Sequence, residues 1–186
     1  TMCTGEPYSI PRLGDEETVD KLQALRLYDQ YRDLITTAPL EIIYSGSAEL
    51  DRVRQALAAA FATLPREEVR TIADAVPHVC RESVQTVEDE MEVTQGKLSM
   101  GFSCGSDDMP ALLLGNTLFG GSSNSKLFLN VREKLSLCYY ASSMYHRQKG
   151  IITVSSGIEF QNYQRAYDEI LSQLAAVQNG ELEEWE

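Results

Sequence analysis

The stretch LFGGSSNSKLFLNVREKLSLCYYASS, residues 118–143, decides how the rest of the chain is read. Its opening, Gly120 to Ser125, is a tight polar loop in which Ser123, Asn124 or Ser125 can cap a following helix by accepting one of its free amide hydrogens. The spacing predicts that helix over about Lys126–Leu135, with Leu127, Phe128, Val131 and Leu135 inward and Arg132 turned elsewhere. A strand follows and delivers Tyr139, seven residues after Arg132. A helix reversing into a strand can bring both side chains over one edge of a sheet. Arginine offers a fork of donors and tyrosine one hydroxyl, a pair suited to holding a peptide carbonyl or a carboxylate. Taken alone, Arg132 is expected to pair with a nearby glutamate or to snorkel at the surface.

Working outward, Val93–Cys104 alternates in part and places Leu98, Met100, Phe102 and Cys104 on one strand face. Pro110 fits the first turn of a helix over Ala111–Phe119. Downstream, strands over Leu137–Gln148 and Gly150–Glu159 are joined at Lys149-Gly150 as a hairpin. A helix from Gln161 then carries Tyr163, Ala166, Tyr167, Ile170 and Leu174 on one stripe. Nearer the N-terminus, residues 1–14 read as loop and Thr18 as the cap of a helix running past Tyr31. The run Leu40–Gly46 reads as a buried strand, and Ser47 opens a helix that Pro65 stops. Residues 65–92 form a polar connector. This order predicts an α+β fold, with helices packed on one face of a mainly antiparallel sheet.

Composition narrows the function. The chain has 186 residues, is 43% hydrophobic and 24% charged, and carries a net charge of −12. That charge argues against nucleic acid, whose phosphates are held by clustered Lys and Arg. No apolar run approaches the ~18 residues of a membrane span, and no signal pattern opens the chain. Cys3, Cys80, Cys104 and Cys138 form no CxxC and read as reduced thiols of a cytoplasmic protein. The first residue is not Met and the last six are Glu-Leu-Glu-Glu-Trp-Glu, so an excised segment is expected.

The common catalytic constellations are missing from the pattern. Zinc hydrolysis needs clustered His, Cys, Asp or Glu ligands and a base. The two histidines, His78 and His146, sit in neither HExxH nor HxxEH, and the connector around His78, Cys80 and Glu82 is a poor ligand cradle, so no metal site is expected. Cys138 and His146 would stand roughly 26 Å apart along one strand, too far to act as nucleophile and base. The Gly120–Ser125 loop lacks GxxxxGK[ST] and reads as a helix–helix turn, with close peptide approach as its functional option.

The 118–143 stretch, followed by Lys149-Gly150 and by Ser156-Gly157-Ile158-Glu159, resembles the half-domains of the insulinase/pitrilysin (M16) zinc peptidases, which contain a sequence like LfGGxxxSrLFxxVREKxgLxYxxxS. The resemblance covers most of one half-domain, about residues 36–186 and truncated before its last helix, with residues 1–35 as the tail of a preceding half. It implies a longer parent of two related αβ halves that close like a clamshell, with the fold of the LuxS/MPP-like metallohydrolases. In active relatives the first half carries HxxEH and the zinc, and the second supplies an Arg–Tyr pair that contacts peptide substrate. Arg132 and Tyr139 match that pair, with Tyr140 the alternative if the strand register slips by one; alternation would turn Tyr140 to the other face. Gly120, Gly121 and Ser123 are then expected to border the peptide. Some members of the family lack HxxEH and act as non-catalytic partners, and bacterial members occur as paired paralogues. Two readings therefore stand: the substrate-side half of a zinc endopeptidase, or a non-catalytic peptide-binding partner that completes a paralogue's site. A structural domain unrelated to peptides is the third. On either of the first two readings this chain holds no cofactor, zinc belongs to the missing N-terminal half or a partner subunit, and the chain alone is inactive.

Overall fold

The computed structural model describes residues 2–71 and 83–183, and by internal contacts it falls into two units, Ile10–Asp74 and Thr1–Ser9 with Ala75–Glu186. The first unit is helical. Its helix α1 (Glu16–Asp20) is capped by Asp15, not Thr18: the Asp15 carboxylate accepts from the Thr18 amide at 2.9 Å and from its hydroxyl at 2.8 Å. These two bonds hold the Asp15 carboxyl below its ordinary range. Helix α2 (Ala24–Thr37) follows. Its last carbonyls are met by Arg66, whose Nη2 donates to Ala38 O at 2.6 Å and Nη1 to Ile35 O, while Arg70 grips the Asp33 carboxylate with both Nη atoms at 2.8 and 2.7 Å.

Between α2 and α3 (Leu50–Phe61), the expected strand Leu40–Gly46 does not form. The segment lies in a unit with no second strand among its described residues, so its backbone has no ladder to join, and Ile43 is 87% exposed. The helix expected from Ser47 starts later, at Leu50, and Pro65 lies beyond its end at Phe61.

The second unit carries the sheet. Strand β1 (Gly96–Ser103) is followed by α4 (Met109–Asn116), whose cap Asp108 accepts from the Ala111 amide at 3.1 Å and whose first turn holds Pro110, as expected. Two segments of wide, i→i+5 turns come next, Thr117–Gly121 and Leu127–Lys134, then the hairpin β2 (Cys138–His146) and β3 (Ile151–Ile158), and last α5 (Tyr163–Gln178). The strand order is β1-β3-β2, antiparallel throughout, so β2 is an edge. One face of the sheet presents Leu98, Ala141, Val154 and Ile158 to Phe119, Leu127, Val131, Ala166 and Ile170, with Met100 and Phe102 packed alongside. The α+β reading and the one-sided layering both hold.

At the hairpin end the chain's start is tied down. The Glu6 carboxylate pairs with buried Lys149, and Tyr8 Oη meets His146 Nδ1 at 2.8 Å with its ring edge-on. His146 Nε2 meets Thr153 Oγ1 at 2.9 Å. Residues read as loop thus pack against the sheet unit. Gly150 closes the turn with φ +64°, a conformation that glycine adopts without steric cost.

Candidate functional site: the groove beside Arg132

The glycines come first, because they set how closely helix and strand approach. A Cβ on Gly120 would lie 2.6 Å from the Ser143 backbone nitrogen and 2.7 Å from Leu127 Cδ1, so only glycine lets this turn press onto β2. One on Gly121 would stand 2.9 Å from Asn116 Nδ2. Ser143 Oγ then donates to Asn116 Oδ1 at 2.8 Å, stitching strand to turn. Of the three possible caps, the structure uses Ser125: fully buried, it donates to Ser122 O at 2.7 Å and accepts from the Phe128 amide at 3.4 Å.

The Leu127–Lys134 helix buries Leu127 and Val131 and ends with the Leu135 amide bonded to Asn130 O at 3.1 Å, five residues back. Ser136, at φ +50°, reverses the chain into β2; a side chain in this left-handed region costs on the order of 1 kcal/mol or more. The strand then carries an extra residue. Cys138 pairs with Ile158 and Tyr140 with Gly157, leaving Tyr139 as a bulge. Wide helical turns and strand bulges both concentrate at functional sites, and here they converge on one place.

That place is an open groove of about 440 Å³, bordered by Gly120, Gly121, Ser123, Arg132, Tyr139 and Tyr140, with Ser122, Phe128, Ala141 and Ser142 completing it. All five residues singled out from sequence line it. The expectation that alternation sends Tyr140 away from Tyr139 is overturned by the bulge, which breaks the alternation: both rings border the groove, 54% and 40% exposed, and Tyr140 lies over Gly157, where a Cβ would be 2.5 Å from its Cε1.

Arg132 meets Tyr139 through the main chain: its Nε donates to Tyr139 O at 2.9 Å. Its Nη1 donates to the Glu133 carboxylate at 2.7 Å, and its guanidinium sits 4.6 Å from the Phe128 ring centre. Arg132 therefore does pair with a glutamate, yet stays 38% exposed at the groove. The spacing predicts Phe128 inward; its position one turn before Arg132 is the signal that it can seat the guanidinium.

Cys138 is half-buried, and that burial pushes its thiol up; the neighbouring Ser156 hydroxyl and the Arg132 charge pull the other way. Ser156 Oγ itself is buried. Cys138 and His146 occupy opposite ends of β2, and both imidazole nitrogens are engaged elsewhere. Among the described residues no group of three or more His, Cys, Asp or Glu is placed to hold a metal ion, so a zinc site has no fit there. His78, Cys80 and Glu82 lie outside the described residues. No described helix is long and apolar enough to cross a membrane.

The family model described as "Peptidase M16 inactive domain" matches residues 21–186. The protein of Bacillus subtilis (strain 168) described as "Probable inactive metalloprotease YmfF" is 39% identical over 189 residues, spanning 98% of this chain and 43% of that protein. Among solved structures, a conserved protein from Enterococcus faecalis V583 is similar with a TM-score of 0.77 at 27% identity, over 95% of this chain and 42% of that one. A peptidase M16 inactive domain from Pseudomonas fluorescens shares the fold, with a TM-score of 0.75 at 19% identity over 94% and 43% of the respective chains. The chain thus spans less than half the length of the proteins it matches. With the family model covering most of its residues and the Arg132–Tyr139 stretch folded as the groove's wall, the chain belongs to the peptidase M16 inactive-domain family.

Proposed function

We propose that this chain is a non-catalytic, peptide-holding half of an M16-type assembly, and that its groove grips an extended polypeptide through Arg132 and Tyr139, with Gly120, Gly121 and Ser123 admitting the main chain. The observation that carries the reading is the convergence of these five residues on one open groove, with Arg132 held in place by Tyr139 O. The inactive description of the family and of the Bacillus relative supports the non-catalytic part. The layout belongs to the same proposal: residues 36–186 as the half-domain, residues 1–35 as the tail of a preceding half, and an N-terminal half or a paralogous subunit as the partner that would bring zinc. A cytoplasmic location is proposed with it.

The groove's chemistry suits main-chain recognition. The guanidinium can donate to a carbonyl, the two tyrosines supply flat apolar walls with hydroxyl tips, and glycines leave room for a second backbone. The test is fluorescence anisotropy with a dye-labelled, unstructured peptide. Saturable binding that Arg132→Ala weakens about tenfold, in a variant with an unchanged circular dichroism spectrum, is the expected result. Equal affinity in the folded variant would sink the reading.

A second reading makes the chain the substrate-side half of a working zinc endopeptidase, and the Arg–Tyr spacing favours it. Mixing the chain with a zinc-bearing half decides between the two. If the chain must be present for chelator-sensitive cleavage, and Arg132→Ala or Tyr139→Phe slows turnover by roughly 10²-fold, the enzyme reading replaces the first.

A further inference from the structure

We propose that Glu133 determines what this groove accepts: by neutralising Arg132 it makes the site prefer the uncharged main chain of an internal polypeptide segment over a free carboxylate terminus. The inference rests on the reading that the groove holds peptide, and it assigns a role to a residue which that reading leaves unused.

An unpaired arginine would favour the opposite ligand. A guanidinium binds a carboxylate through two parallel bonds, about twice as strong as bonds to a neutral acceptor. Here one carboxylate bond is already made within the protein. Glu133 Oε1 accepts from Nη1 at 2.7 Å, Tyr139 O accepts from Nε at 2.9 Å, and the Phe128 ring lies 4.6 Å from the guanidinium carbon. Of the five donors two are engaged, and the remaining hydrogens can still reach a neutral carbonyl. Their charge, however, is compensated next door. Sequence neighbours do not face each other on an α-helix. The pairing of Arg132 with Glu133 is made within the wide turns of Leu127–Lys134, not by default helical geometry.

The terrain past Arg132 points the same way. A second hollow of about 360 Å³ adjoins the first, sharing Arg132 and Tyr139 as its border, and is otherwise lined by Glu133, Ser136, Leu137, Cys138 and Glu159. Glu159 is oriented by Gln161, whose Nε2 donates to it at 2.9 Å. A chain ending in a carboxylate at Arg132 would place its charge against two glutamates, whereas a chain that continues places a neutral peptide group there. The discrimination is modest because the groups are partly exposed and salt screens them.

The test uses two forms of one fluorescein-labelled, unstructured dodecapeptide, ending in a free carboxylate or in a carboxamide, titrated at low ionic strength. The full chain is expected to bind the carboxamide about threefold more tightly, with the ratio falling toward one as salt is raised. Glu133→Gln is expected to bring the ratio to one or to invert it. Glu159→Gln, the second variant, is expected to shift it in the same direction by less. A ratio that neither substitution moves, or a wild-type preference for the free carboxylate, overturns the assignment of Glu133 while leaving peptide binding intact. Failure of the wild-type chain to bind either peptide overturns the parent reading and this one together.

Discussion

The two ends of strand β2 use similar side chains to opposite ends. At the hairpin end a cation, a histidine and a tyrosine are consumed by the fold: Lys149 is 3% exposed and paired with Glu6, while His146 is held by Tyr8 on one nitrogen and Thr153 on the other. At the bulged end a cation, two tyrosines and a glutamate stay at the surface, with Arg132 anchored by one main-chain bond and one ion pair. Residue type alone does not separate a structural cluster from a binding one. What separates them is whether donors and rings remain reachable after the protein has satisfied itself.

Breaking the hairpin end should produce the largest effect, and on stability alone. Lys149→Met keeps most of the side-chain volume but removes the buried ammonium that pairs with the Glu6 carboxylate. Removing one partner of a buried pair costs about 3–5 kcal/mol, and because Glu6 is partly exposed we expect about 2 kcal/mol, read as a lower urea midpoint. Peptide affinity should not change. A Lys149→Met protein with wild-type stability would show that the ion pair does not hold the Glu6–Tyr8 segment on the hairpin. Next comes Gly120→Ala. Its new methyl meets Ser143 N and Leu127 Cδ1 below contact distance, so we expect a smaller loss of about 1 kcal/mol together with weakened peptide binding, because here the fold and the groove share an atom's width of space.

At the bulged end the expected effects are on ligand, not on stability. Tyr139→Phe should weaken the peptide about threefold if its hydroxyl contributes one hydrogen bond, with the unfolding midpoint unchanged. The same substitution at Tyr140 tests whether the bulge truly makes the two rings alternatives. Equal losses at both positions would mean that the extra residue, not the register, decides who faces the ligand.

How much of this could be read from the sequence follows a physical line. Helix, turn and hairpin were legible because each is written in local periodicity, and the groove's five residues were legible through the resemblance of residues 118–143 to the M16 half-domains, which local spacing alone does not supply. The bulge was not, since inserting one residue leaves no compositional mark and Tyr139-Tyr140 reads the same in either register. The strand at Leu40–Gly46 failed for the complementary reason: its apolar run is real, but a strand is defined by a partner, which local sequence does not supply. Glu6 and Tyr8, lost in a polar loop on paper, find Lys149 and His146 more than a hundred residues away, a pairing no local pattern encodes.

The smallest expected effect is also the sharpest check on whether Arg132 belongs to the open end. Burial raises the thiols of both Cys104 and Cys138, but only at Cys138 does a nearby arginine oppose the rise. Removing that cation disfavours the thiolate, so Arg132→Ala should raise the Cys138 thiol further and leave less thiolate at a given pH. Alkylation at mildly alkaline pH should therefore slow at Cys138 by a small factor and stay unchanged at Cys104, with mass spectrometry separating the two sites in one sample. Faster alkylation at both would report loosened packing instead of a lost charge. Slowing confined to Cys138 would place the guanidinium's field in the second hollow, which shares Arg132 and Tyr139 with the groove.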